Sequence, residues 1–555
     1  KSAENGGITN DEYITHPESF SDTYDENEIP TVLESNWNRN DNQHFFLSHR
    51  YNIGFYRKVP MTEEELKARK FAEESKKEKE AQKGKNEESR GRDTSKNSAP
   101  MGRPEGAVIM GNEPAPKDTL SLVADTTRIK VDGQAAIDSL NRLQAIQDSI
   151  DATMKKEYVP VTSIIHTLEL HNYKRTYQAY STPSDYYLDR YYTYGLMFGG
   201  DSIYDQTKHT QIKNTLGLAL LEGFNKYVKA GLKGFVTHEL RKYKMPGIVE
   251  NTDSSYQQSW NENTVSIGGQ LSKTQGKTLH FNVMAETWLI GEDAGQLKLD
   301  FNTELNFALL GDTVHLAADA YLHRLNPTFY HRYYHSKHLW WDNDDMSKET
   351  RTHLGGTLSY DKTNTILKVS LDNIKNYTYF GMSYDATTSA RTNMTAGVYQ
   401  ESDNISILTA QLHQNFRLGP INWENVVTYQ NSSNNSVLPL PTWNIFSNLY
   451  LKFRIARVLD VELGADATWF SEYDAPDFCP AINQFAIQQN EDSRVQLGGY
   501  PFVDVYANMR LKGVRFFVTM CNLVDGAANH MKFLVPHYPT NGMVLHFGVS
   551  WPFFN

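Results

Sequence analysis

Residues 543–555 read MVLHFGVSWPFFN, and they alternate without a break. Met543, Leu545, Phe547, Val549, Trp551 and Phe553 share one face; Val544, His546, Gly548, Ser550, Pro552 and Phe554 share the other. A side-chain period of two is the signature of a β-strand, and here one face is wholly apolar and ends in aromatics. Such a strand at the end of a chain is expected to close an outer-membrane barrel.

The composition is compatible with that expectation. The 555 residues are 39% apolar and 22% charged, with a mean hydropathy of -0.57. A transmembrane barrel reaches such values because only every second strand residue meets lipid. No run of about 18 consecutive apolar residues occurs, which excludes helical spans. The opening KSAENGG reads as a processed start with no signal peptide. A formal charge of -11 argues against nucleic acid as a partner. The 32 tyrosines suit interface girdles and binding loops. Cys479 and Cys521 are the only cysteines, too few for a disulfide framework or a metal cluster.

The same alternation recurs upstream. Leu297, Leu299, Phe301, Leu305, Phe307 and Leu309 face away from Lys298, Asp300, Asn302, Glu304 and Asn306. Leu449, Leu451, Phe453 and Ile455, then Val461, Leu463, Ala465 and Ala467, oppose Lys452, Arg454, Asp460, Glu462 and Asp466. A soluble antiparallel sheet also alternates. Three features favour a membrane. The strands are long enough to cross a bilayer, they follow one another from residue 161 to the end without helices, and short connections alternate with long ones. Long outer loops are expected at roughly 174–207, 238–255, 324–349, 375–392, 471–493 and 524–541, with tight turns at Leu310-Gly311-Asp312, Gly419-Pro420 and Lys512-Gly513.

The first third reads differently. Residues 1–44 show no period. Phe45, Leu47, Tyr51, Ile53 and Phe55 give residues 45–58 a strand-like face, as a barrel strand or a plug. Residues 59–133 form a charged low-complexity insertion, expected as a frayed helix passing into disorder. Residues 134–157 carry Ala136, Ile137, Leu140, Leu143, Ile146, Ile150 and Met154 at spacings of three and four, an amphipathic helix stopped at Tyr158-Val159-Pro160. Counting back from a last strand that descends to the periplasm gives about 16 strands over 161–555 and places 59–158 in the periplasm. That parity leaves Phe45–Arg57 unaccommodated unless a second added strand accompanies it, perhaps within 29–40. The fold class expected is all-β: an antiparallel transmembrane barrel of about 16–18 strands.

The strings ALLEGFNKYVKAGL (219–232), GKTLHFNVMAETWLIGEDAGQLKLDFNTELNF (276–307), HLWWDND (338–344), IKNYTYFG (374–381), SNLYLKF (447–453), YDAPDFCPAINQF (473–485) and GGYPFVDVYANMRLKGVRFFV (498–518), with the terminal GVSWPFF, resemble the outer-membrane β-barrel porin family of Bacteroidota. HFFLSHRYNIGFYRKVP (44–60) resembles that family's opening segment. The resemblance implies an outer-membrane location in a Gram-negative bacterium and a diffusion channel. It brings no catalytic motif and no cofactor, and a fold-level label does not settle function.

The expected role is passive diffusion of small hydrophilic solutes, with lipid as the surrounding partner. A porin sets selectivity through inward charges. The candidates are Lys298, Asp300, Glu304, Lys368, Asp372, Lys452, Arg454, Asp460, Glu462, Asp466, Asp504, Arg510 and Arg515. Both signs occur, so weak selectivity or a split field is expected; equally, the charges can pair across strands and fill the lumen. In the 329–345 loop, Trp340 and Trp341 could stack on a sugar while Asp342 and Asp344 bind its hydroxyls. His331, His335 and His338 would meet around zinc or copper only on a helix, for which there is no cap or apolar stripe. No metal is therefore expected. An enzyme is not expected either: Ser406 and His413 face neither each other nor an acid. The competing class is a non-conducting barrel in an assembly or secretion complex, recruiting an outer-membrane or periplasmic partner through 59–157.

Overall fold

The computed structural model describes residues 5–21, 28–88, 134–193, 202–223, 227, 229–250, 252–309, 311–386, 391–490, 494–525 and 532–552. It divides into two units: residues 1–53 with 161–555, and residues 54–160.

The larger unit is built on one sheet of seventeen strands. In chain order these are β1 (Glu34–Pro60), β2 (Met154–Ser181), β3 (Ile203–Leu220), β4 (Gly231–Ile248), β5 (Ser255–Lys273), β6 (Leu279–Ile290), β7 (Leu297–Leu309), β8 (Asp312–Leu325), β9 (Glu349–Tyr360), β10 (Thr365–Lys375), β11 (Ile405–Leu418), β12 (Ile421–Ser432), β13 (Trp443–Ile455), β14 (Leu459–Phe470), β15 (Phe502–Leu511), β16 (Val514–Cys521) and β17 (Val544–Ser550). Each pairs with the next, antiparallel throughout from β2 to β17. The contacts between β1 and β2 run in opposite chain order, Asn36 to Tyr177 and Arg50 to Ser163. The sixteen strands from β2 onward match the count read from the sequence, and β1 makes the total odd. Among the described residues no ladder joins β17 to β1, so the sheet has two free edges.

Turn chemistry fixes the register. Leu418 faces Ile421 across Gly419-Pro420, where Gly419 has φ +60, a conformation that favours glycine in a two-residue hairpin loop. Lys512 takes φ 54 between the paired Leu511 and Val514. These tight turns lie at one end of the sheet, and the long connections 326–348, 376–404, 471–501 and 522–543 lie at the other.

The two faces differ as the alternation requires. Leu216, Leu218, Phe301, Leu449, Leu451, Phe547 and Val549 are exposed on the outer face. Phe547, at 78%, is more exposed than any core aromatic could be. Phe45, Leu47, Tyr51, Ile53 and Phe55 of β1 are likewise exposed. They share a face with His49, which stacks on outward His166.

Several sequence expectations need correction. Residues 34–44 are strand, so β1 is a single element of 27 residues and needs no companion strand. The 238–255 loop shrinks to 249–254 because β4 runs to Ile248. The 134–157 helix ends at Ala152, and Met154 already belongs to β2. The charged insertion is helical over Glu63–Glu88, and its remainder, 89–133, lies outside the described residues. The expectation for Phe553 and Phe554 also lies outside them.

In the smaller unit the helix Glu63–Glu88 starts at a reciprocal cap. The Thr62 amide donates to Glu65 Oε2 (3.0 Å) and the Glu65 amide to Thr62 Oγ1 (3.3 Å). The second helix, Gln134–Ala152, exposes Leu140, Leu143, Ile146 and Ile150.

Buried apolar residues gather at the long-connection end of the larger unit. Tyr334, Leu339, Trp341, Met382, Met394 and Ile482 from the loops pack with Tyr177, Ile203 and Met245 from the strand ends. A second cluster joins Ile8, Ile14 and Ile29 to Ala475, Leu497 and Phe533. The loops have secondary structure of their own. The hairpin Tyr377–Ala386 with Arg391–Glu401 adds Gln484–Gln488 in parallel and then Asp477–Cys479.

Candidate functional site

The inner wall and the loop assembly meet around a cavity of about 310 Å³. Tyr173 and Arg175 of β2 and Thr207 of β3 form its wall side; Tyr330, His331, Tyr334, Trp341, Phe380 and Gln484 come from the loops. Arg175 pins the two together. Its guanidinium donates to Tyr334 Oη (3.2 Å), Asn38 Oδ1 (2.6 Å), Pro480 O (3.1 Å) and Ala481 O (2.6 Å), while its buried Nε has no partner. Bonds to a charged donor in a dry setting are the strong kind.

Two further clusters hold the loops. Arg241 on β4 reaches Glu239 (3.4 Å), Glu262 (3.2 Å) and Asp293, and Arg332 donates to Glu262 (2.6 Å). Across the mouth, buried His537 contacts Asp11 (2.9 Å), Asp477 (3.4 Å) and Tyr384 Oη (2.8 Å). Burial works against its protonation. The Asp11 and Asp477 carboxylates outweigh both burial and nearby Arg391, and hold the imidazole above its ordinary value. Arg391 donates to the carbonyls of Gly6 and Ile8 (3.1 Å for Ile8). At Gly7, φ is +79 and a Cβ would lie 2.6 Å from the His537 carbonyl oxygen, so only glycine fits.

The structure brings part of the inward charge set together. Lys452, Arg454, Asp460, Glu462, Arg510 and Arg515 line one cleft of about 300 Å³, four cations against two anions. Lys452 pairs with Glu462 (3.5 Å) and Arg454 with Asp460 (2.5 Å). Asp466 stands directly across from Asp504, like charge against like. The others are dispersed along the wall. Asp300 bonds His323 (2.8 Å), Glu304 approaches His280 (3.8 Å), and Asp372 bonds His353 (2.6 Å). Lys298 sits over Trp288, and Lys368 opposes Gln411.

The loop candidates do not converge. Phe329–Arg332 is a single helical turn, and Tyr333–His335 pairs with Trp340–Asp342 as a small hairpin. His331 bonds Thr328 (2.8 Å), His335 bonds Pro246 O and Asp342, and His338 donates to Asp189 O (2.7 Å). Burial pushes the His338 imidazole down to about 4. The two indoles, adjacent in a strand, leave it on opposite faces. Trp341 lines the cavity, whereas Trp340 stacks on His335 (3.7 Å). Asp342 accepts from His335 and Trp340, and Asp344 from the Tyr333 hydroxyl. Ser406 bonds Asn373 and His413 bonds Gln411, so the two do not meet.

The family described as "Putative porin" matches residues 1–555. The chain belongs to this porin family. Among curated proteins none matches it. Among solved structures, the ferric enterobactin receptor PfeA of Pseudomonas aeruginosa is similar at 13% identity, over 71% of this chain and 70% of that chain, with a TM-score of 0.41. The siderophore receptor PirA of Acinetobacter baumannii shares 13% identity, over 73% and 64%, with a TM-score of 0.45. The copper transporter OprC shares 12%, over 72% and 65%, with a TM-score of 0.45. At these values the likeness supports no conclusion about the porin-family chain.

Proposed function

We propose that this chain is an outer-membrane pore through which small hydrophilic solutes diffuse passively, with a mouth narrowed by folded loops. The observation that carries the reading is the sheet itself: a continuous ladder, apolar and exposed on one face, ionised on the other. An exposed band of Leu, Val and Phe is stable against acyl chains, and a charged inner wall is stable against water. Closure belongs to this reading: in a ladder of seventeen strands that alternate in direction, β1 and β17 run the same way, so a barrel closed through these two edges pairs them in parallel. The loops screen by size, the unevenly paired wall charges by sign. No catalytic step belongs to this reading. Planar-bilayer recording from the folded full chain tests it: steady ohmic openings are expected, and a folded protein that passes no current refutes it.

The exposed stripe Leu140, Leu143, Ile146 and Ile150 favours a second reading. There the insertion recruits a partner to a non-conducting barrel. Co-purification with and without residues 61–153 tests it, and an unchanged partner set refutes it.

A further inference from the structure

Below the mouth cavity, two histidines and a glutamate converge on the inner wall. Glu169 and His171 lie two apart on β2, so both project from one face. It is the face that carries Tyr173 and Arg175 into the cavity. His44 reaches the same spot from β1, its ring 3.9 Å from that of His171. His171 Nε2 lies 4.0 Å from Glu169 Oε2, and one ligand atom from each of the three falls within 4.8 Å of the others. Among the described residues, no other group of three His, Cys, Asp or Glu side chains does so.

We propose that His44, Glu169 and His171 bind one divalent first-row transition ion, zinc or copper(II), on the wall of the lumen. Two imidazoles and one carboxylate are the donor set of borderline metals; calcium and magnesium prefer oxygen alone. Two strand neighbours plus one cross-strand residue present three donors to one side and leave the remaining positions to water or solute. Ligand atoms around a tetrahedral zinc stand about 3.3 Å apart. The present separations therefore close by rotation of half-exposed side chains, and the ring stacking of His44 on His171 gives way.

The histidines also have a metal-free use, as a stacked pair, so the test must separate the two. The folded full chain, stripped with chelator, is titrated with Zn²⁺ by calorimetry and with Cu²⁺ by electron paramagnetic resonance. One tight equivalent is expected, with a copper signal split by two nitrogens. His44→Ala and His171→Ala each weaken Zn²⁺ binding by more than about 100-fold, beyond the loss of an outer-sphere partner. Glu169→Gln, which keeps the shape, weakens it too. The control is His49→Ala with His166→Ala, the pair stacked on the outer face of the same strands; it keeps the tight equivalent. Heat-modifiable migration confirms that each variant is folded. The proposal is overturned if the native chain binds no ion more tightly than the His44→Ala, His171→Ala double variant, or if the outer-face control abolishes the site.

Discussion

Replacing Arg391 by methionine should unfasten the N-terminal segment from the mouth. The substitution keeps an unbranched stem and removes every donor. Arg391 is buried, and it bonds the carbonyls of Gly6 and Ile8, 385 and 383 residues away. Each charge-assisted bond contributes about 1.5–3 kcal/mol. Loss of the pair therefore costs at least about 3 kcal/mol, which raises the released population on the order of 100-fold. The Ile8, Ile14 and Ile29 contacts remain, so release is local and the sheet stays folded. Chymotrypsin reads the outcome, because Tyr13 and Phe20 stack on each other in the docked segment at 4.3 Å. When opening and closing are fast, cleavage tracks the open population. Arg391→Met should be cut there about 100-fold faster than the native chain, and its single-channel conductance should rise. Cleavage at the native rate refutes the pinning role of Arg391. Faster cleavage with unchanged conductance refutes the idea that the segment narrows the path.

His537 makes the same attachment pH-dependent. Its folded value is raised, so its stabilisation is complete below the unfolded value of about 6.5 and is lost as pH rises through the folded one. The protection of residues 5–21 against hydrogen exchange, taken relative to the intrinsic rate at each pH, should fall on the alkaline side; a fall on acidification instead would contradict this. Asp460→Asn with Glu462→Gln leaves Lys452, Arg454, Arg510 and Arg515 without anions in their cleft. The reversal potential in a salt gradient should then move toward chloride, and a shift toward potassium would show that this cleft does not set the field. Arg241→Met leaves Glu239 and Asp293 without their cation and Glu262 with Arg332 alone; a loss of about 3–5 kcal/mol is expected, read as a lower unfolding temperature, and an unchanged one would exclude a structural role. Parallel closure predicts the order of cross-links. In a Cys521→Ser background, a cysteine at Val549 should link to a position further along β1 than a cysteine at Leu545 does. The reverse order means antiparallel contact.

The wall was legible because lipid and water impose a period. Leu297–Leu309 and Trp443–Ile455 show the faces expected of them. Legibility fails where that contrast ends. Glu34–His44 has no apolar face and is nonetheless strand, held by amides: Asn36 bonds Tyr177, Asn38 bonds Pro480 O, and Asn40 accepts from Tyr173. The end of β4 at Ile248 was hidden for a similar reason, since Arg241 and Tyr243 there meet loops and not lipid. The inward charges could be read from alternation, but Arg175, Arg391 and His537 could not. Their partners lie hundreds of residues away, and no local spacing encodes such contacts.

A wet, ionised inner wall has a consequence for where the unit is vulnerable. An ordinary domain holds itself together by burying apolar surface between layers. This sheet cannot do so, because its inner face is charged and its outer face is given to lipid. What remains is the ladder of backbone bonds and the apolar clusters among the loops. Substitutions of buried side chains such as Trp341, Met382 or Ile482 should therefore act on the mouth before they act on the wall. Polar changes on the inner wall away from the loops, as in the Lys452, Arg454, Asp460 and Glu462 cleft, should alter selectivity and leave the fold intact. Stability and charge selectivity are then controlled at opposite ends of the same strands. Arg175, on the wall strand β2 yet bonded to Pro480 and Ala481 of the loops, is one residue where the two cannot be varied separately.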